Sequence, residues 1–419
     1  MSTTPGRVVF LGPDPLPAVA SGLPVICADD CGVRSGAGAE IEQFALPGAV
    51  SSAALMELPA IQAYLRSTAT AVTVWKSSAA VERIASSLGV TVANAPALIA
   101  RRIENKSHFG RDAAAAGLPL PPTLVGVAGP ELLQAAFELP PPFVFQLAHG
   151  FSGEHTYPAA SLEELAQLLR RFAGRSCRVA QRVMGTPVTV TGVIAQDRVL
   201  VGQACVQLTG LPSLTPHPLG SCGNDYSKPA PEAEAVQQLA LSAAEWLRRR
   251  GHLGIFGLDL VVERDGRIWC IEVNPRLVAS VPLFDLSARD KGHRGILSLH
   301  LASFGLGDCL EPALDCHWSQ LILYQRGERI PNPGVGTASG RLNAEGHFIP
   351  EAELGLQGPA PGQVGLLVQR HSQPGRELAR LWFEGPCCAP DGSLLAHLDA
   401  CARELRAQLE VPIGGESAS

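Results

Sequence analysis

The stretch that most restricts what this chain can fold into is GLDLVVERDGRIWCIEVNPR, residues 257–276. Two runs of β-forming residues flank Asp265 and Gly266, and Asp-Gly between such runs is a strong signal for a two-residue hairpin loop. With those two residues as the loop, Asp259 falls opposite Glu272, and the two-residue period of a strand sets Asn274 on the same face as Glu272. Two carboxylates across one pair repel each other unless a cation lies between them. The neighbouring Leu, Val, Ile, Trp and Cys argue that the hairpin is buried, so the spacing points to a bound divalent ion. An all-oxygen set suits Mg²⁺ or Mn²⁺, which take further ligands from water and from substrate phosphates. The plain alternative is a solvated strand face with both acids in water.

The rest of the chain is organised around this hairpin. At about 150 residues per domain, 419 residues make two or three domains, and 46% hydrophobic content supplies each with a core. The apolar runs 7–11, 23–27 and 71–75, separated by helical stretches, predict a small parallel α/β domain over residues 1–100. It has no G-x-G-x-x-G, so a dinucleotide site is not expected there. Residues 105–117 predict a helix with Asn105 as N-cap, an inner face of Phe109, Ala113 and Ala116, and Gly117 as stop. A strand at 142–150 and a helix opened by Ser161 and Glu164 follow, then extended runs at 177–185 and 187–208, the second alternating like a hairpin. The Pro- and Gly-rich stretch 209–231 reads as a lid or binding loop, and its His217, Asn224, Asp225, Tyr226 and Lys228 are candidates for substrate selection. Helices are expected at about 231–250 and 393–410. The domain plan is therefore 1–100, 101–305 and 306–419, the last an α+β unit.

Composition narrows the function. Lys and Arg number 33 against 39 acids, so no positive field draws in nucleic acid or an anionic membrane. No run reaches eighteen apolar residues, and the N-terminal MSTTPGRVVFLGPDP lacks a signal core, which makes a cytoplasmic protein the expectation. The 11 Cys read as reduced thiols, and neither Cys27 with Cys31 nor Cys387 with Cys388 has a second pair at zinc spacing.

With these residues in view, the chain resembles the ATP-grasp superfamily of carboxylate-amine and carboxylate-thiol ligases. G-I-F-G-L-D-L-V-V followed by I-W-C-I-E-V-N-P-R is similar to the metal-binding signature of that family, and the likeness extends over roughly residues 100–300. It implies an α+β ATP-grasp fold with ATP and Mg²⁺ (or Mn²⁺) as cofactors. It also implies that Asp259, Glu272 and Asn274 hold the metal and that Arg276 contacts phosphate or substrate. Lys106, in ENKSHFGRDAAAAGLPLPPT, matches the first phosphate-binding lysine. The segment HGFSGEH, with Gly150, Ser152 and Gly153, matches the glycine-rich flap over the phosphates. Gln181, Arg182 and Val183, in AQRVMG, match the hinge whose backbone reads adenine.

Two departures stand out. Gln146 in PFVFQ occupies the position where the family often has a second phosphate-binding lysine, and Thr186 and Pro187 follow Gly185 where an acidic ribose-binding residue is usual. Arg178 or Arg182 would have to supply the missing charge, or nucleotide binds weakly. The expected activity is amide or peptide bond formation between a small carboxylate and an amine, through an acyl phosphate, with release of ADP and phosphate. Arg276 and Lys106 are the expected catalytic groups, Arg276 stabilising the oxyanion formed when the amine attacks. The alternatives are an ATP-dependent carboxylase and a nucleotide-binding regulatory protein without catalysis. A second copy of the chain, as a homodimer, is the candidate protein partner.

Overall fold

The computed structural model describes residues 7–28, 32–35, 41–44, 51–150, 153–308, 314–327, 329–331, 335–369, 372–389 and 392–412. The chain opens with five parallel strands in the spatial order Ile41–Phe44, Val25–Ala28, Arg7–Gly12, Ala69–Thr73 and Thr91–Val92. Three of them occupy the apolar runs seen in the sequence. The other two, IEQF and the two-residue TV, are too polar or too short to stand out there. Helices Pro59–Thr68 and Ala79–Leu88 bury Ile61, Leu65, Val81 and Ile84 in the same apolar cluster as strand residues Val9, Leu11 and Val72. The Ser78 side chain caps the second helix by accepting from the Val81 N–H, and Gly89 closes it at φ 71°. Helix Ala97–Glu104 then runs across residue 100.

A four-stranded antiparallel sheet follows, in the order Thr123–Val127, Ser176–Gln181, Phe143–Leu147 and Thr156–Ala159. Helix Lys106–Ala115 leads into it, and the Asn105 side chain accepts from the N–H groups of Ser107 and His108. Phe109 and Ala113 turn inward as expected, but Ala116 is exposed, because the helix ends one residue before it. Helix Leu162–Arg171 packs Leu165 and Leu169 against the sheet with Ser161 as its cap.

The third sheet has eleven strands. Its continuous order is Ile268–Asn274, Gly254–Val262, Thr186–Ile194, Cys205–Thr209, Ser221–Asp225, Trp318–Tyr324, Glu377–Glu384, Val364–Val368, Ala338–Leu342 and Phe348–Glu353, with Val199–Val201 paired to Thr186–Ile194 off this path. The stretch 209–231 is thus not all loop. Its SCGND segment forms the Ser221–Asp225 strand, pairing with Cys205–Thr209 on one side and Trp318–Tyr324 on the other. Hydrogen bonding from both neighbours overrides the weak strand propensity of Gly, Asn and Asp. The same strand carries the sheet across residue 305 into the C-terminal segment. Helices Ala233–Arg248 and Ala396–Leu409 lie close to their expected positions. No helix among the described residues is long and apolar enough to cross a membrane.

One apolar cluster joins all three regions, bringing Phe10 and Val25 together with Val193, Ile255 and Phe284 and with Trp318, Leu367 and Trp382. His300 adds a polar pin. Its Nδ1 accepts from the Ile255 N–H at 3.0 Å and its Nε2 lies 2.7 Å from the Ala93 carbonyl oxygen. A main-chain N–H can only donate, so the neutral ring carries its proton on Nε2 and donates it to Ala93. Burial pushes His300 down to about 4, and His252, buried beside the same strand, also to about 4. Each ring's contribution to stability is complete above the unfolded value of about 6.5 and is lost as pH falls toward about 4, by about 1.4 kcal/mol per pH unit. Asp14 and Asp285, raised by burial to about 6 and about 8, act in the opposite sense over the same interval. The test is therefore a difference: the urea midpoint of the wild type relative to that of His300→Leu should fall as pH goes from about 6.5 to about 4.

Candidate active site

The acidic hairpin brings Asp259 opposite Glu272, though not through a two-residue loop. The Glu263 N–H donates to Arg267 O at 2.8 Å and the Gly266 N–H to Glu263 O at 3.0 Å, so the loop is Arg264, Asp265 and Gly266, with Gly266 at φ 85°. The register runs Val262 to Ile268, Val261 to Trp269 and Leu260 to Cys270, then slips by one residue, so that Asp259 meets Glu272 and Gly257 meets Asn274. The longer loop shifts the pairing one way and the slip at Ile271 shifts it back. Leu258, Leu260, Cys270 and Val273 enter the core, while Asp259, Ile271 and Glu272 line a cleft of about 1430 Å³.

In this cleft each acid is answered differently. Glu272 Oε1 accepts from Lys106 Nζ at 2.8 Å, and Lys106 is only 4% exposed. Helix Lys106–Ala115 and the four-stranded sheet hold that lysine, whose N–H donates to Ala148 O at 3.0 Å and whose Nζ also lies 3.4 Å from Gly150 O. Asp259 is surrounded by neutral donors. Gln207 Nε2 donates to its Oδ1 at 2.9 Å, Asn274 Nδ2 to its Oδ2 at 3.0 Å, and the Thr189 hydroxyl also donates to Oδ1. Burial first, and the Glu272 charge second, hold the Asp259 carboxyl above the usual range, although the Thr189 and Gln207 bonds oppose the shift. Two partly buried acids, one of them disfavoured by its like neighbour, form a donor set that fits a hard divalent cation. Thr189 and Gln207 carry no motif of their own. Only the pairing of their strands beside Gly254–Val262 reveals them.

The other candidates distribute as follows. Gln146, Gly150, Gly153, Gln181, Arg182 and Val183 all line the cleft with Lys106. Ser152 lies outside the described residues. A Cβ on Gly150 would collide with the Glu154 carbonyl, and one on Gly153 would sit 2.6 Å from Gly220 Cα. Glycine at 153 therefore lets its backbone lie against the 217–220 segment. The extended run expected through 185 ends as a strand at Gln181, which leaves Arg182 and Val183 in the connection to Thr186. Asn274 and Arg276 are not part of the cleft wall. Arg276 Nη2 donates to Asn274 Oδ1 at 3.1 Å, and Nε donates to Glu104 Oε1 at 2.8 Å; Lys76 pairs with the same Glu104. A chain of bonds thus runs from Asp259 through Asn274 and Arg276 to helix Ala97–Glu104.

Among the substrate candidates, Asp225 and Lys228 line the cleft. Asn224 and Tyr226 do not. Asn224 is 3% exposed and accepts from Gln320 Nε2 at 2.7 Å, and Tyr226 packs edge-on to Phe284 with ring centroids 5.3 Å apart. Asp225 Oδ2 accepts from the N–H groups of Cys387 and Cys388 at 2.8 and 3.0 Å, so the vicinal cysteines fasten the C-terminal segment to this strand. Of Cys27 and Cys31, the first is buried and the second lies outside the described residues.

The sequence profile of the ATP-grasp domain family matches residues 118–280, a span that holds Gly150, Gly153, Gln181, Arg182 and both hairpin acids. Residues 118–280 are an ATP-grasp domain. Around this ATP-grasp domain the whole chain shares its fold with solved structures. It is similar to N5-carboxyaminoimidazole synthase from Aspergillus clavatus in complex with ADP and 5-aminoimidazole ribonucleotide, at 16% identity and TM-score 0.60, over 92% of this chain and 95% of that one. It is similar to the L-amino acid ligase of Bacillus licheniformis at 13% identity and TM-score 0.59, over 98% and 99%. It is also similar to biotin carboxylase of Campylobacter jejuni at 14% identity and TM-score 0.61, over 91% and 87%. No curated protein matches the sequence.

The ion pair inside the ATP-grasp cleft has an asymmetric consequence. Glu272→Gln leaves a buried ammonium without its anion, whereas Lys106→Met leaves a carboxylate on a side chain that is 24% exposed. In urea denaturation of the ligand-free protein, Glu272→Gln should cost about 1–3 kcal/mol, Lys106→Met less, and the double variant less than the sum of the two.

Proposed function

We propose that the chain is an ATP-dependent ligase joining a small carboxylic acid to an amine, with release of ADP and phosphate. The observation that carries this reading is the opposition of Asp259 and Glu272 beside a buried lysine in the cleft of an ATP-grasp domain. Lys106, now held by Glu272, would turn to the nucleotide phosphates once a divalent cation takes over the carboxylate. The residues that would hold Mg²⁺ or Mn²⁺ are Asp259 and Glu272, with Asn274 behind them. When bound, the ion neutralises phosphate charge during phosphoryl transfer.

The chemistry balances without any further reagent. An oxygen of the acid attacks the γ-phosphorus and ADP leaves. The amine nitrogen then attacks the acyl carbon, and phosphate departs with one oxygen from the acid. Gly150, Ser152 and Gly153 are assigned to cover the phosphates, and Gln181, Arg182 and Val183 to the adenine edge. Arg276 keeps the role of oxyanion stabiliser only if it leaves Glu104. Until then it orients Asn274. Residues of the segments 101–305 and 306–419 line the cleft, the described residues of the segment 1–100 lie outside its lining, and the acid and amine are assigned to the side of Asp225 and Lys228. A carboxylase is the competing reading, favoured by the likeness in fold to biotin carboxylase.

The test is product analysis with the full chain, Mg²⁺, ATP and a panel of amino acids and small carboxylates. ADP should accumulate only when an acid and an amine are both present. With an ¹⁸O-labelled acid, the label should appear in phosphate in step with amide. Label in AMP would rule out the acyl phosphate, and phosphate release that follows bicarbonate and ignores the amine would favour the carboxylase. Glu272→Ala should reduce turnover by at least about 100-fold, measured as ADP release.

A further inference from the structure

The cleft contains a second buried cation, and it is differently placed from Lys106. Arg178 lies on strand Ser176–Gln181 and is 2% exposed, yet it lines the cleft. Its Nη1 donates to the Ile271 carbonyl at 2.9 Å, the extra residue at the slip in the acidic hairpin. Its guanidinium also lies over the Phe109 ring, 5.7 Å from the centroid. Nε has no partner, and no carboxylate pairs with Arg178 among the described residues. Arg182, also in the cleft wall, is half-buried and can be hydrated. Arg178 cannot, and although the nearby Glu272 charge favours its guanidinium, burial outweighs that and pulls it below its usual range, so the group is still short of negative charge.

Its cross-strand neighbour is informative. Gln146, 6% exposed, sits directly opposite Arg178 in the register of strands Phe143–Leu147 and Ser176–Gln181. The two side chains share one face and one cleft wall. Gln146 carries no charge and donates to the Thr156 hydroxyl at 3.3 Å. The wall therefore has one positive charge at this level, and that charge is on Arg178.

We propose that Arg178 binds the phosphate chain of the nucleotide and supplies from strand Ser176–Gln181 the positive charge that Gln146 does not supply from its neighbour. This rests on the assignment of the cleft to ATP. The Ile271 carbonyl and the Phe109 ring fix the guanidinium before the ligand arrives, so little side-chain freedom is lost on binding. Donors left over from the Ile271 bond are available to an anion.

Calorimetric titration of the full chain with MgATP, together with thermal melts, tests the idea through four variants. Arg178→Met should weaken MgATP by about tenfold or more, the scale of a lost charged hydrogen bond. Arg178→Gln, which can still donate to Ile271 O and so keeps the brace, should weaken it as much. Gln146→Lys in the wild-type background should bind MgATP at least as tightly as the wild type. Gln146→Lys combined with Arg178→Met should recover most of the loss, because the charge returns to the opposite member of the same cross-strand pair. A brace alone would give lowered melting temperatures, normal affinity in Arg178→Gln and no rescue by Gln146→Lys, and any of the last two results overturns the proposal. Absence of MgATP binding by the wild type would instead overturn the nucleotide assignment itself.

Discussion

Two carboxylates held opposite one another across a ladder, largely out of water, set the terms for everything around them. The opposition of Asp259 and Glu272 is unfavourable by itself, and the protein offsets it twice. Lys106 neutralises Glu272, and three neutral donors surround Asp259. The second solution is incomplete, since the Asp259 carboxyl is still held above its usual range. The site is thus arranged to accept further positive charge, and Lys106 is the group that such a charge would release. A cation and a polyanion together satisfy all these groups at once, which neither does alone.

The same hairpin ties the cleft to the core. Alternate residues of Gly254–Val262 and Ile268–Asn274 face the apolar cluster with Trp246 and Phe256, so the acids cannot separate without disturbing packed side chains. The slip at Ile271 has two effects. It restores the opposition of the acids after a three-residue loop, and it presents a carbonyl oxygen to Arg178. A register irregularity next to a site is a common way to re-aim side chains, and here it orients an acid and a cation together. Further out, Arg276 and Glu104 link Asn274 to helix Ala97–Glu104, and His300 links strand Gly254–Val262 to the N-terminal domain.

The position of the strand Ser221–Asp225 explains how the C-terminal segment takes part. Asp225 grips the main chain of Cys387 and Cys388 and also opens on the cleft. Gly153 can lie against Gly220 because it has no side chain. Gly150 and Gly153, the strand Ser221–Asp225 and the C-terminal segment at Cys388 therefore all contribute to the lining of one cleft.

Local patterns in the chain were enough for much of this. Alternation in 257–276 predicts the facing acids, Asn105 predicts the start of the Lys106 helix, and Gly117 and Ser161 mark helix ends, because periodicity and capping act within a few residues. The three-residue loop and the compensating slip were not legible, since each shifts register by one and their sum leaves no trace in the spacing. Nor was the strand within 209–231, whose polar and glycine residues are held by neighbours distant in sequence. Thr189 and Gln207 around Asp259, Glu104 on Arg276, and the pairing of Arg178 with Gln146 all join residues far apart along the chain. The sequence by itself determined which side chains carry charge and on which face of its strand each lies. The tertiary structure alone decided which charges meet, because long-range strand pairing and burial set the distance and dielectric through which they act.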